Sequence, residues 1–207
     1  MLTLTQPRRL KALLALLATA AASGSALAHT GVDAHQHMGF LAGFLHPFTG
    51  LDHMAVMLAI GLWSALIAKQ FGREMLWGPL GFANVLLAGA ALGLQGVQTP
   101  AVEPLIAASL VAAGLLVVSK LPVRGVAAAM LAGVFALCHG LAHGYELDHN
   151  VNAFQALAGM VCATLLLHTM GLALGWSLRG ANVWVPRLLG GAVAALGSAL
   201  LLLQLTN

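Results

Sequence analysis

The sequence predicts an all-α fold: a polytopic membrane protein of six transmembrane helices behind a cleaved N-terminal signal peptide. Three observations carry that prediction. The 207 residues are 60% hydrophobic and only 7% charged, with a mean hydropathy of +0.92. A soluble domain of this size needs far more charge to cover its surface, so lipid is the natural solvent for most of the chain. Six apolar stretches of membrane-spanning length follow one another with short polar loops between them, and the N-terminus has the basic, apolar, small-residue order of a secretory signal.

In chain order, Arg8, Arg9 and Lys11 precede an apolar run over 12–22, and Ala26-Leu27-Ala28 then offers the small-x-small pattern that a signal peptidase accepts. Cleavage after Ala28 divides the chain into a signal peptide, 1–28, and a single six-helix domain, 29–207, with His29 as the new N-terminus; an uncleaved signal anchor is the alternative. The spans are expected near 50–68, 75–95, 103–119, 125–144, 153–176 and 187–205. They leave no room for a separate soluble domain. Gly89 with Gly93, Gly140 with Gly144 and Gly171 with Gly175 put small residues at four-residue spacing, which lets helices approach closely where hydrophobicity gives no drive for association. Cys138 and Cys162 both fall inside spans and read as packed thiols rather than a disulfide.

Charge sets the expected orientation. Every Lys and Arg after the signal segment lies in one of three alternate loops: Lys69 and Arg73, Lys120 and Arg124, Arg179 and Arg187. Basic loops stay cytoplasmic, so both ends of the mature chain are expected in the periplasm of a bacterial inner membrane. Asp33, Asp52, Glu103, Glu146 and Asp148 then map to the outer side, with Glu74 inside; His29, His35, His37, His46, His53, His139, His143 and His149 map to the outer half, and His168 lies deeper. The pI of about 9.3 does not point to nucleic acid, because three of the nine basic residues belong to the signal segment.

Two constellations carry chemistry. In Cys138-His139-Gly140-Leu141-Ala142-His143-Gly144-Tyr145-Glu146 the histidines are four apart on one helical face, and Glu146 continues that face, so two imidazoles and a carboxylate can meet one divalent ion. In His46-Pro47-Phe48-Thr49-Gly50-Leu51-Asp52-His53, Pro47 suits the first turn of a helix, and a continuous helix would put His46 and His53 on one face. Asp52 reads as a ligand or as the partner that holds a histidine tautomer; ionisable groups at a membrane helix are functional candidates by default. Glu103, between Pro100 and Pro104, stands at the outer mouth of the third span, where the helix dipole alone also explains a carboxylate. His29, His35 and His37 are candidates to collect ions, or a solvated terminus, with His149 and Cys138 as further candidates. Thr164 and His168 share a face in the fifth span and, with Asn84 in the second, are candidates for an inner relay; a histidine satisfied by a carbonyl or hydroxyl is the rival reading.

These residues resemble the HupE/UreJ family of membrane proteins, associated with hydrogenase and urease gene clusters. The family's histidine, five residues, then Asp-His is matched by His46 and Asp52-His53, its His-Gly-x-[Ala/Val]-His-Gly-x-Glu by His139 to Glu146, and its glutamate in the third span by Glu103. Cys138 stands where a Phe commonly precedes the second motif. The resemblance covers essentially the whole chain and implies a nickel permease supplying hydrogenase or urease maturation. Spacing alone implies only a divalent transition metal with nitrogen and oxygen ligands, cobalt and zinc included, since such sites follow the Irving–Williams order. The expected mechanism is capture by His46, Asp52, His53, Glu103, His139, His143 and Glu146, then inward release. The rivals are an intramembrane zinc hydrolase built on the same residues and an accessory subunit that binds metal without transporting it.

Overall fold

Within lipid a single segment satisfies its own peptide groups only as a helix, and this chain obeys. The computed structural model describes residues 39–147 and 152–206. Among them are seven α-helices and no strand: α1 (Phe40–Thr49), α2 (Leu51–Ile67), α3 (Trp77–Gly93), α4 (Val102–Ser119), α5 (Val126–Glu146), α6 (Ala153–Ser177) and α7 (Trp184–Thr206), with a 3₁₀ turn over Arg73–Leu76 leading into α3. The segments Arg73–Gly93, Val102–Ser119, Val126–Glu146, Ala153–Ser177 and Trp184–Thr206 are each long and apolar enough to cross a bilayer, while α1 and α2 reach that criterion together, bent by 83° at Gly50. The chain is a multi-pass membrane protein. The expected signal peptide, His29, His35, His37 and His149 lie outside the described residues.

The helix α1 departs from the sequence expectation, which put Pro47 in the first turn of a helix. Pro47 sits not in a first turn but inside α1, near its end, where only one intrahelical bond is forgone. Ten residues cannot hold a helix alone. Packing on α6 supplies the rest: a Cβ on Gly43 would overlap the Ala156 backbone, and one on Gly159 would overlap the Phe40 carbonyl.

The helices associate in three close groups, α3 with α5, α4 with α7, and α1 and α2 with α6; contacts between groups are thinner. The α3–α5 contact follows from its glycines. Gly140 of α5 lies on the Leu86 carbonyl and Gly89 Cα of α3, so any side chain there would strike backbone. The predicted glycine pairs of the second and fourth spans thus mesh with each other. Val56, Ile60, Trp63, Phe82, Leu86, Leu110 and Val117 fill the space between the groups. Cys162 corrects the reading of both thiols as packed: it is exposed on α6, and Cys138 is half-buried. A thiol is apolar enough to face acyl chains.

The basic loops gather at one end. Arg124 donates through Nε and Nη2 to the Ile67 carbonyl at 3.3 and 3.2 Å. Arg179 Nη2 donates to the Lys69 carbonyl at 3.4 Å, and Trp63 Nε1 donates to the Leu121 carbonyl at 3.0 Å. These bonds close the carbonyl ends of α2 and α4 and tie the three loops together.

Candidate metal centre

The bend at Gly50 builds the first part of the site. In a straight helix residues seven apart stand about 10 Å apart along the axis. Here the chain turns at Gly50, in extended backbone (φ −92°, ψ 114°), and the ring centroids of His46 and His53 come within 5.6 Å. Thr49 Oγ1 donates to the His46 carbonyl at 2.7 Å, tying off the end of α1. Asp52 occupies the first turn of α2, where a carboxylate suits the helix dipole. Its Oδ1 accepts the His53 backbone N–H at 2.9 Å and lies 2.8 Å from His53 Nδ1.

The second part comes from α5, which buries His139 and His143 on one face. The His143 ring stands 4.8 Å from that of His46 and 4.6 Å from that of His53; the His139 ring stands 5.0 Å from His53. His46, His53 and His143 each offer one ligand atom, all within 4.8 Å of one another. Nitrogens around one tetrahedral ion at about 2.1 Å would be about 3.4 Å apart, so the three atoms must draw closer to share one ion. Glu146 Oε2 lies 3.7 Å from His143 Nδ1, its side chain half exposed. Glu103, exposed at the start of α4, is in electrostatic range of Asp52, Glu146 and His53. A cleft of about 240 Å³ beside this cluster is lined by His46, Thr49, Glu146 and Met160 among others.

Three histidines and an aspartate thus converge from α1, α2 and α5, in the two motifs that the sequence offers. A family model for the HupE / UreJ protein matches residues 16–200. The chain belongs to the HupE / UreJ family. Protein HupE of Rhizobium leguminosarum bv. viciae is 42% identical over 188 residues, covering 89% of this chain and 94% of that protein. No solved structure matches the chain significantly.

Further along this HupE / UreJ bundle, Phe82 of α3 is fully buried with its ring centroid 5.8 Å from that of His139 and 5.1 Å from that of His168. His168 is buried on α6 and lies 2.7 Å through Nδ1 from the Thr164 carbonyl, which can only accept. His168 Nδ1 therefore carries the proton. Among the described residues, His53 Nε2, His139 Nδ1, both ring nitrogens of His143, His168 Nε2, Thr164 Oγ1 and Ser64 Oγ are buried without a hydrogen-bond partner. Orphaned buried polar atoms are costly and rare, and here most are imidazole nitrogens on a line from the His46 bend to His168.

Not every sequence candidate joins that line. Asn84 is exposed on α3, its Nδ2 donating to the Leu80 carbonyl of its own helix at 2.7 Å. Cys138 is not among the side chains whose ligand atoms cluster. Two residues that sequence reasoning missed do join it: Phe82, and Ser109 of α4, whose Oγ is 3.0 Å from His139 Nε2. A serine in the middle of the apolar run of α4 was the available signal for the latter.

Proposed function

We propose that this protein is a permease, not an enzyme, that carries a divalent transition metal, nickel foremost, from periplasm to cytoplasm of the bacterial inner membrane for hydrogenase or urease maturation. The observation that carries the reading is the set of His46, His53 and His143 nitrogens within 4.8 Å of one another, drawn from three helices. Family membership supports a role in metal supply in general, and the imidazole and carboxylate donors suit nickel, cobalt or zinc alike.

Glu103 and Glu146 attract the cation at the mouth. His46, His53 and His143 replace part of its water, with Asp52 holding His53 so that Nε2 presents its lone pair. Imidazoles must be neutral to bind, and transport demands ligands that hold the ion loosely enough to pass it on. His139 is the next donor inward, Phe82 separates it from His168, and His168 with Thr164 forms the inner station. The three helix groups meet around this line, so small shifts between them can alternate access. Facilitated diffusion, drawn by trapping of the metal in the cell, is the simplest energetics.

Uptake of labelled nickel by cells that express the protein, its Asp52→Asn variant or its His139→Ala variant tests the reading. Uptake above background in the wild type, reduced in both variants at equal membrane abundance, is expected. Equal uptake in all three would end it.

A further inference from the structure

We infer that Ser109 is a positioning residue for metal transfer: it locks the imidazole of His139 in the Nε2–H tautomer and so presents the Nδ1 lone pair to the passing ion. The inference rests on the permease reading for its consequence, but not for its geometry.

Ser109 is buried in α4 and makes two polar contacts, 2.7 Å from its Oγ to the Ile106 carbonyl and 3.0 Å from Oγ to His139 Nε2. A hydroxyl has one proton and two lone pairs. Two oxygens at 2.7 Å repel unless a proton lies between them, and a carbonyl has none to give, so the Ser109 proton is donated to Ile106. The Ser109 oxygen can then only accept from His139. The 3.0 Å contact therefore needs the proton on His139 Nε2.

A neutral imidazole with its proton on Nε2 keeps a lone pair on Nδ1. That atom is buried, and among the described residues nothing hydrogen-bonds to it. Its ring neighbours are His53, at 5.0 Å between centroids, and Phe82, at 5.8 Å. His139 thus adjoins both His53 and the aromatic ring with one nitrogen spent on α4 and the other unspent. The same division of labour holds at His53, where the Asp52 carboxylate takes Nδ1–H, and at His168, where the Thr164 carbonyl takes it. At each of these three histidines the nitrogen left over is the orphaned one. The α4 helix, which contributes no histidine and brings Glu103 only to the mouth, reaches the buried histidines through Ser109.

The test uses the full-length protein in lipid nanodiscs, labelled with ¹⁵N-histidine, with His139 signals identified by their loss in His139→Gln. The ring shifts of the wild type should report the proton on Nε2, and added nickel should move Nδ1. In Ser109→Ala the proton should redistribute toward Nδ1, and the nickel concentration for half-maximal uptake should rise about 10-fold to 100-fold, the usual effect of losing a partner that orients a ligand. Ser109→Thr, which keeps the hydroxyl, should restore both readouts. Should the alanine variant fail to accumulate, Ser109→Cys, whose sulfur is a much weaker acceptor in similar volume, takes its place. A wild-type His139 with its proton on Nδ1 overturns the inference, as does a Ser109→Ala or Ser109→Cys protein whose tautomer is unmoved or, where the wild type takes up nickel, whose half-maximal concentration is unmoved. A wild type with the Nε2–H tautomer but no response to nickel and no uptake would instead sink the permease and leave the tautomer lock standing.

Discussion

Asp52 Oδ1 holds His53 twice, accepting its backbone N–H at 2.9 Å and lying 2.8 Å from its Nδ1. A carboxylate can only accept, so the imidazole is fixed with Nδ1–H toward Asp52 and a bare Nε2 toward the cluster. Asp52→Asn removes the charge and leaves an amide of equal size. We expect that variant to reach the membrane at wild-type abundance and to need about 10-fold to 100-fold more nickel for half-maximal uptake, measured as the concentration dependence of initial rates. An unchanged half-saturation would show that Asp52 does not hold His53 for the ion.

Gly50 shapes the same pair by being small. Its φ of −92° is open to any residue, so backbone strain plays no part. A Cβ there would stand 2.8 Å from Asp52 Oδ1 and 3.0 Å from His53 Nδ1, tighter than van der Waals contact allows. Gly50→Ala should therefore fold, since little else lies in the way, yet push the Asp52–His53 pair out of register. Nickel uptake should fall severalfold at constant protein level on an immunoblot; uptake equal to wild type would mean that the pair yields freely.

Much of this was legible from residue order. The expected span 103–119 is Val102–Ser119 and 153–176 is Ala153–Ser177, because apolar length and basic loops are one-dimensional signals. What faces what was not. Asn84 was grouped with the inner relay, but two residues along a helix are about 200° round it; with Phe82 turned to His139 and His168, Asn84 must point away. The apolar sequence of α3 carries no stripe to reveal that. The His46–His53 meeting was anticipated, though on a continuous helix; the turn at Gly50 achieves it instead, and α1 itself stayed hidden because packing on α6, rather than propensity, makes it helical. Ser109 meets His139 across two helices, a pairing that no spacing rule encodes.

The scaffold prediction concerns Gly140, one residue from His139. A Cβ there would overlap the Leu86 carbonyl of α3, so Gly140→Ala forces the two helices apart. Overpacking of this kind costs about 1–3 kcal/mol. The purified variant should unfold at a lower temperature in detergent than wild type. Gly191→Ala, at a position with nothing within 4 Å, should not. Identical melting of all three proteins would contradict the close approach of α3 and α5.

Capture and passage are separable at His168. Its ring lies beyond Phe82 from His139 and outside the group formed by His46, His53 and His143. If the ion visits it only after leaving the outer histidines, His168→Gln should spare equilibrium binding while slowing transport. Gln can keep a donor toward the Thr164 carbonyl, which limits the structural damage, but it replaces an imidazole nitrogen with a weaker amide ligand. We expect nickel affinity of the purified protein to stay at the wild-type value and the maximal uptake rate in cells to drop at least severalfold. His143→Ala should do the reverse first, losing affinity in the purified protein. A His168→Gln protein that transports at full rate would move the path away from α6. One that loses binding in proportion to transport would merge the inner and outer stations into a single site.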